Sequence, residues 1–472
     1  MSEKVEILNI VDIQDYKNPN LSIEQRIEDL LSKMSLEEKI AQMLCIWNQK
    51  KDLILDGKGN LDLELMRNNF PIGLGQIGRL SDTNGGLTPV EMAELANRIQ
   101  KYFVEETRFG IPLIIHEECL HGLAAKESTS YPQPIGMAAT FNPKLVEEMY
   151  SAIAEDTRKR GAHQALTPVV DVARDPRWGR VEETFGEDPH LIAQLSKAAI
   201  RGFQGDRTFK SKNKVIATLK HFAAHGQPES GSNCGPANFS ERVLRDVFLA
   251  PFKEVIDEEK PISVMASYNE IDGIPSHANK WLLRKVLREE WGFKGFVVSD
   301  YYAITELSNK EETVSHNVAK DKIEAALLAA EAGVNIELPE IDCYPNLKEL
   351  VEDGRLSKTV IDELVKPMLE AKFQLGLFED PYVDSMLIQN ENKLVNDRKI
   401  ALKAAQETIT LLKNENNLLP LKLIEKSTIA VIGPNADRKL LGGYSGTPKF
   451  YTTVLEGIKN KVGEKYNIVY SE

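Results

Sequence analysis

From about residue 20 to residue 385, short apolar runs alternate with amphipathic stretches. The runs fall at residues 42–46, 111–116, 165–172, 215–222, 262–269, 295–301 and 333–338. Helix-like segments, such as 88–106, 143–160 and 321–332, separate them. Strand and helix alternating over some 300 residues predict an α/β fold with a parallel sheet. The length suits a (β/α)8-type, TIM-like barrel with insertions; periodicity alone leaves a doubly wound open sheet as the alternative. Asp171, His221, Tyr268 and Asp300 each fall at or just past the C-terminal end of an apolar run. In parallel α/β folds that edge is where sites are built.

The pattern then changes. Residues 379–397 are polar and irregular, and the reading divides the chain into a barrel over 1–385, a linker over 386–397 and a second unit over 398–472. The second unit opens with a helix-like stretch at 398–413, followed by strand-like runs at 429–434 and 466–470. So few strands make a poor core, so the reading expects the start of a second α/β sandwich domain that is truncated. Apolar surface left uncovered there could drive homo-oligomer formation.

Composition narrows the partners. The net charge of -13 disfavours nucleic acid, whose phosphates attract Lys and Arg. The four cysteines, Cys45, Cys119, Cys234 and Cys343, are scattered singly. That spacing predicts neither a disulfide framework nor a structural zinc site and fits a reducing compartment. The first twenty residues lack a signal-peptide pattern, and no stretch approaches 18 apolar residues. The expectation is a cytoplasmic protein with no membrane partner and no cofactor.

Five motifs invite chemistry. Gly295–Tyr301 is an apolar strand that ends in the carboxylate of Asp300; most such residues are turn or cap residues, but in a barrel the position is also that of catalytic groups. In residues 171–189, nine of nineteen side chains are charged. Mixed signs at that density ordinarily make a salt-bridged loop, from which one or two Arg can still reach a pocket as rigid donors. Lys220-His221 closes a strand; a single His is ordinarily a satisfied core residue, whereas an ammonium there needs a partner if buried. His116 and His121 stand five apart, so they do not share a helix face as a zinc HExxH pair does. Residues 73–78, GLGQIG, match a dinucleotide fingerprint literally, but a loop follows where a helix would be needed.

Taken in order, the blocks IPLIIHEECLHGL, YPQPIGMAATFNP, DVARDPRWGRVEETFGEDP, KHFAAHG, SVMASYNEIDGIPSHANKWLL, GFKGFVVSDY, ITLLKNENNLLPL and IAVIGPNADRKLLGGYSG resemble family-3 glycoside hydrolases, the β-glucosidase and β-xylosidase family. The resemblance runs from about residue 20 to the C-terminus. It implies that Asp300 is the nucleophile of a retaining exo-β-glycosidase. It also implies that Lys220, His221 and Arg180 contact sugar hydroxyls, that Tyr268 lies beside the nucleophile and that Glu118 grips the non-reducing end. Tyr301 stands where many members have Trp. The implied substrate is a small oligosaccharide or aryl glycoside, with β-D-xylose favoured and β-D-glucose next.

The chain also departs from the family pattern. The multidomain branch takes its general acid/base from a Glu further into the second domain. The N-acetylglucosaminidase branch takes a His from the loop after Lys-His, which here reads HGQPESGSNCGPANF. Neither residue is visible, which leaves Glu229 of that loop as a weak substitute. Asn335 stands where Asp is usual. A sugar-binding protein with the same pocket and impaired catalysis is therefore the competing class; turnover of an activated aryl glycoside discriminates the two.

Overall fold

The computed structural model describes residues 14–308, 315–388, 391–422, 424 and 426–472. Seven parallel strands form its main sheet: β1 (Cys45–Ile46), β2 (Gln76–Gly78), β3 (Ile114–Glu117), β4 (Gln164–Ala165), β5 (Ile216–Phe222), β6 (Ser263–Ala266) and, after the small antiparallel hairpin β7 (Glu270–Ile271) and β8 (Ile274–Pro275), β9 (Phe296–Val298). Each strand pairs with the next one in this sheet. Beyond β9, Ile336 bridges Val298 in parallel, and the Glu337 N–H donates to the Met43 carbonyl just ahead of β1 (3.1 Å). The fold is thus α/β with a curled parallel sheet.

The helices start where local chemistry directs. Thr88 caps Pro89–Glu106 in a reciprocal box with Glu91, Asn142 caps Pro143–Lys159, and Asp321 caps Lys322–Ala332. The first two carry proline in the first turn, where its missing N–H costs no intrahelical bond. Inside the curl, Cys45, Ile114, Ile216, Met265 and Phe296 pack against Met368, Leu375 and Leu377 from the end of the helix Lys358–Gln374 and the turn after it.

The sequence reading omitted β2. This strand is only three residues long, and its buried Gln76 donates to Gln164 Oε1 (3.2 Å) instead of joining an apolar run. GLGQIG is therefore partly strand, flanked by sheet neighbours on both sides. The expected linker also needs correction: Glu391–Glu407 is a helix, and residues 408–413 are not. Its inward face has few anchors, chiefly Ile400 and Ala404, which is why the polar stretch carried no strong period. Beyond it, β10 (Thr428–Ile432) and β11 (Asn467–Ser471) pair in parallel across the helix Val454–Val462. No helix among the described residues is long and apolar enough to cross a membrane.

Candidate functional site

The strand ends bring the candidate residues together. Asp300 follows β9. Its backbone N–H donates to His277 Nε2 (3.0 Å), and its Oδ1 accepts the Tyr301 N–H (2.7 Å). Oδ2 is buried, without a hydrogen-bond partner among the described residues, and lies 3.6 Å from His221 Nε2. Burial lifts this carboxyl above its ordinary range, against the pull of Arg180 and Lys220. A fixed carboxylate with one unclaimed oxygen can accept a proton, a hydroxyl or an electrophilic carbon.

Lys220 and His221 end β5. The Lys220 ammonium reaches Glu118 Oε2 at 3.0 Å, and both side chains are buried. Burial alone would lower the Lys220 pKa; the Glu118 charge, with Tyr444 and Glu183 adding to it, offsets this and the pKa ends above the ordinary value. The His221 Nε2 lies 2.8 Å from Arg180 Nη2. Arginine can only donate, so Nε2 accepts and the Nδ1 proton faces Asp171 Oδ2 at 2.7 Å. His221 is thereby held neutral, burial and then Arg180 pushing its pKa well below the ordinary value. Arg180 is itself gripped through two nitrogens by Glu183 (2.8 and 2.9 Å). The charged loop is salt-bridged, as its composition suggested, with Arg180 nonetheless turned to the site.

Tyr268 donates its hydroxyl to the Tyr301 carbonyl (2.9 Å), beside Asp300. The Tyr301 hydroxyl lies 2.9 Å from His116 Nε2, and its ring leans on Trp47 with centroids 5.2 Å apart. The His116 Nδ1 proton goes to Gln76 Oε1 (3.0 Å), since that oxygen can only accept. A polar chain thus runs from Tyr301 through His116, Gln76 and Gln164 to Thr218 and Ser263 inside the sheet. Of the six expected contact residues, Arg180, Lys220, His221, Tyr268 and Tyr301 surround Asp300, and Glu118 joins them through Lys220.

Other residues do not join them. Glu229 is exposed and accepts from Asn238 (2.8 Å). His116 and His121 serve separate networks, the second through the Tyr131 and Gly443 carbonyls. Asp171, His221 and His225 come close enough to hold a cation. However, the two ring nitrogens of His221 already face Asp171 and the Arg180 guanidinium, whose charge opposes a metal there. Asn335 accepts from the Val297 N–H and Arg288 and donates to the Leu364 carbonyl (2.7 Å). An ionised Asp could not make that last bond, which accounts for the departure.

Sequence reasoning missed Tyr444, which comes from the second unit. The Lys220 ammonium lies 5.1 Å from its ring centroid. The Glu118 charge, then burial, pushes its phenol up to about 12. Its loop is docked on the strand-end surface: His121 Nε2 lies 3.0 Å from the Gly443 carbonyl, and the Glu127 N–H donates to the Thr447 carbonyl (2.8 Å). A Cβ on Gly446 would stand 1.9 Å from the Ala125 carbonyl oxygen, so only glycine fits that approach. The available signal was Gly442-Gly443-Tyr444-Ser445-Gly446, an aromatic residue set among glycines.

Residues 35–371 match the glycosyl hydrolase family 3 N-terminal domain, and residues 409–469 match the corresponding C-terminal domain. A putative β-xylosidase of Formosa agariphila is 39% identical over 423 residues, covering 89% of this chain and 55% of that protein. A β-glucosidase structure from Erythrobacter marinus superposes with a TM-score of 0.88 at 36% identity, covering 98% of this chain and 60% of the other. The β-glucosidase of Listeria innocua, solved in complex with glucose, gives 0.82 at 33% identity, with 96% and 60% covered. The chain thus spans little more than half the length of the relatives it matches.

Proposed function

The chain belongs to glycosyl hydrolase family 3, and from that premise we propose that it is a retaining exo-β-glycosidase whose nucleophile is Asp300. One observation carries the reading: a buried carboxylate oxygen without a hydrogen-bond partner among the described residues stands at a strand end, 3.6 Å from His221 and beside Arg180 and Lys220. Asp300 Oδ2 attacks the anomeric carbon as the glycosidic C–O bond breaks. Arg180 and Lys220, close enough to favour its charge, oppose the rise that burial causes. The buried Lys220–Glu118 pair presents donors and acceptors to the hydroxyls of the terminal sugar, and Tyr444 covers the pair. Such contacts fix the ring and strengthen as an oxocarbenium-like state forms. A closed end of this kind suits release of one terminal residue. Closure of the curled sheet into a TIM-like barrel, through Ile336 and Glu337, belongs to the same proposal.

Xylose is the preferred sugar in this reading, with glucose second. Glu118 is one methylene longer than the Asp common in the family and fills space that the glucose hydroxymethyl would take. Glu118→Asp should raise the ratio of aryl β-glucoside to aryl β-xyloside kcat/KM; an unchanged or lower ratio contradicts the preference. A cytoplasmic location is part of the proposal, supported by the scattered single cysteines. So is self-association through exposed apolar side chains of the second unit, such as Ile432 and Leu412, which sedimentation velocity reads directly.

Pre-steady-state hydrolysis of a dinitrophenyl β-xyloside tests the activity. A burst of dinitrophenol equal to the enzyme concentration, absent in Asp300→Asn, is the expected result. No burst with the xyloside or the glucoside would overturn the reading.

A further inference from the structure

His121 stands where the two units of the chain meet. It follows β3 on the segment that also carries Glu118, and its side chain is buried. The backbone around it is fixed on the first unit: the Leu120 carbonyl accepts from the Tyr150 hydroxyl (2.9 Å), and the His121 carbonyl accepts from the Tyr131 N–H (2.7 Å). A Cβ on Gly122 would stand 2.4 Å from the Thr129 carbonyl oxygen, so the path back to Tyr131 is tightly closed. The ring is fixed as well, with Nδ1 3.1 Å from the Tyr131 carbonyl. That leaves Nε2 for the second unit.

Both neighbours of Tyr444 converge on that one nitrogen. The Gly443 carbonyl lies 3.0 Å from Nε2 and the Ser445 hydroxyl 3.2 Å. A carbonyl can only accept, so the bond to Gly443 runs from an Nε2 proton. Between these two contacts Tyr444 takes a left-handed φ of 54°, a conformation that a residue with a Cβ keeps only where its surroundings hold it. The other tethers are weaker or further off. The Gly443 N–H reaches Glu182 Oε1 only at 3.4 Å, and the Glu127 N–H secures the loop at the Thr447 carbonyl, three residues on. Tyr444 itself meets the pocket, its ring centroid 5.1 Å from the Lys220 ammonium, which bonds Glu118 (3.0 Å). One short segment of the first unit, residues 118–121, thus both supplies the pocket carboxylate and anchors the loop that covers it.

We propose that His121 is a positioning residue for the reaction: by bonding the residues on either side of Tyr444, it sets that ring over the Lys220–Glu118 pair and so fixes how tightly the terminal sugar is held. The inference rests on the glycosidase reading above, with Tyr444 as the group that meets the sugar. His121 exchanges no proton with the substrate, and its loss acts through Tyr444. Tyr444 meets the sugar away from the breaking bond, in ground and transition states alike, so the effect falls on KM and not on kcat.

His121→Asn and His121→Gln, compared on a dinitrophenyl β-xyloside, test it. An Asn amide stands near the place of Nδ1 and keeps the bond to Tyr131; a Gln amide reaches the place of Nε2 and keeps the bond to Gly443. His121→Asn should raise KM several-fold with kcat nearly constant, and His121→Gln should bring KM back close to wild type. In a Tyr444→Ala background His121→Asn should raise KM no further, since both changes remove one and the same contact. Trypsin reads the loop without any turnover: cleavage after Lys439 or Lys449, which flank it, should quicken in His121→Asn and not in His121→Gln. Ser445→Ala spares the first unit and should shift both readouts the same way by a smaller factor, which decides the matter if His121→Asn does not fold. Unchanged KM and cleavage in the variant that folds, equal losses of kcat in the Asn and Gln variants, or additive effects in the Tyr444→Ala background would overturn the role of His121. Wild type that turns over neither the xyloside nor the glucoside would overturn the glycosidase reading instead, with unequal cleavage of the Asn and Gln variants still supporting the anchor.

Discussion

The two units of the chain treat apolar and charged side chains in opposite ways. Up to the helix Lys358–Gln374, apolar side chains fill a buried core, and at the pocket Lys220 is paired with Glu118 and Arg180 with Glu183. In the second unit the two strands leave apolar side chains in solvent, Ile432 being 76% and Val469 51% exposed. Yet one loop of that unit, residues 442–446, is as closely fitted as anything in the first, because it presses against the strand ends and brings Tyr444 to Lys220. Close fit here follows contact with the pocket, not membership of either unit.

Mutations can break that comparison, and the largest effect is expected at the buried pair. Lys220→Met leaves the Glu118 carboxylate buried without its partner. It should lower unfolding free energy by about 3–5 kcal/mol and reduce activity severely; urea unfolding and kcat/KM measure both. A loss under 1 kcal/mol would mean that the pair is hydrated and replaceable.

An intermediate effect is expected at the docked loop. Gly446→Ala places a Cβ against the Ala125 carbonyl and should lift Tyr444 from the pocket. KM for the xyloside should rise several-fold with kcat nearly constant, as befits a contact made equally in ground and transition states. Tyr444→Phe keeps the ring over Lys220 and should change KM less than Gly446→Ala does. If Gly446→Ala matches wild type, the loop is not part of the site.

The smallest effect belongs to the exposed strand. Val469→Thr should shift stability by no more than about 0.5 kcal/mol, because the side chain is already half in water. A larger loss would reveal a covering surface, and a sedimentation profile that changes with it would identify that surface as a second copy.

Much of this organisation was legible in the sequence. Runs 111–116, 215–222, 262–269 and 295–301 contain strands because apolar residues crowd a sheet buried on both faces. Asp300, Lys220 and His221 could be located from their places at run ends. What could not be read depends on contacts distant along the chain. Gln76 is a strand residue only because Gln164 and His116 meet its amide. The helix Glu391–Glu407 is polar around most of its surface, held by Ile400, Ala404 and a bond from Asn142 to Glu407. Tyr444 reaches a lysine more than two hundred residues earlier.

The central claim, that Asp300 bonds to the sugar, is open to one direct measurement. The protein is incubated with a dinitrophenyl β-xyloside carrying fluorine in place of the 2-hydroxyl, then weighed intact and digested. The expected result is a mass gain of one fluoropentosyl group, carried by the peptide containing Asp300 and absent from Asp300→Asn. An adduct on any other residue, or none with this reagent and its glucoside counterpart, would contradict it.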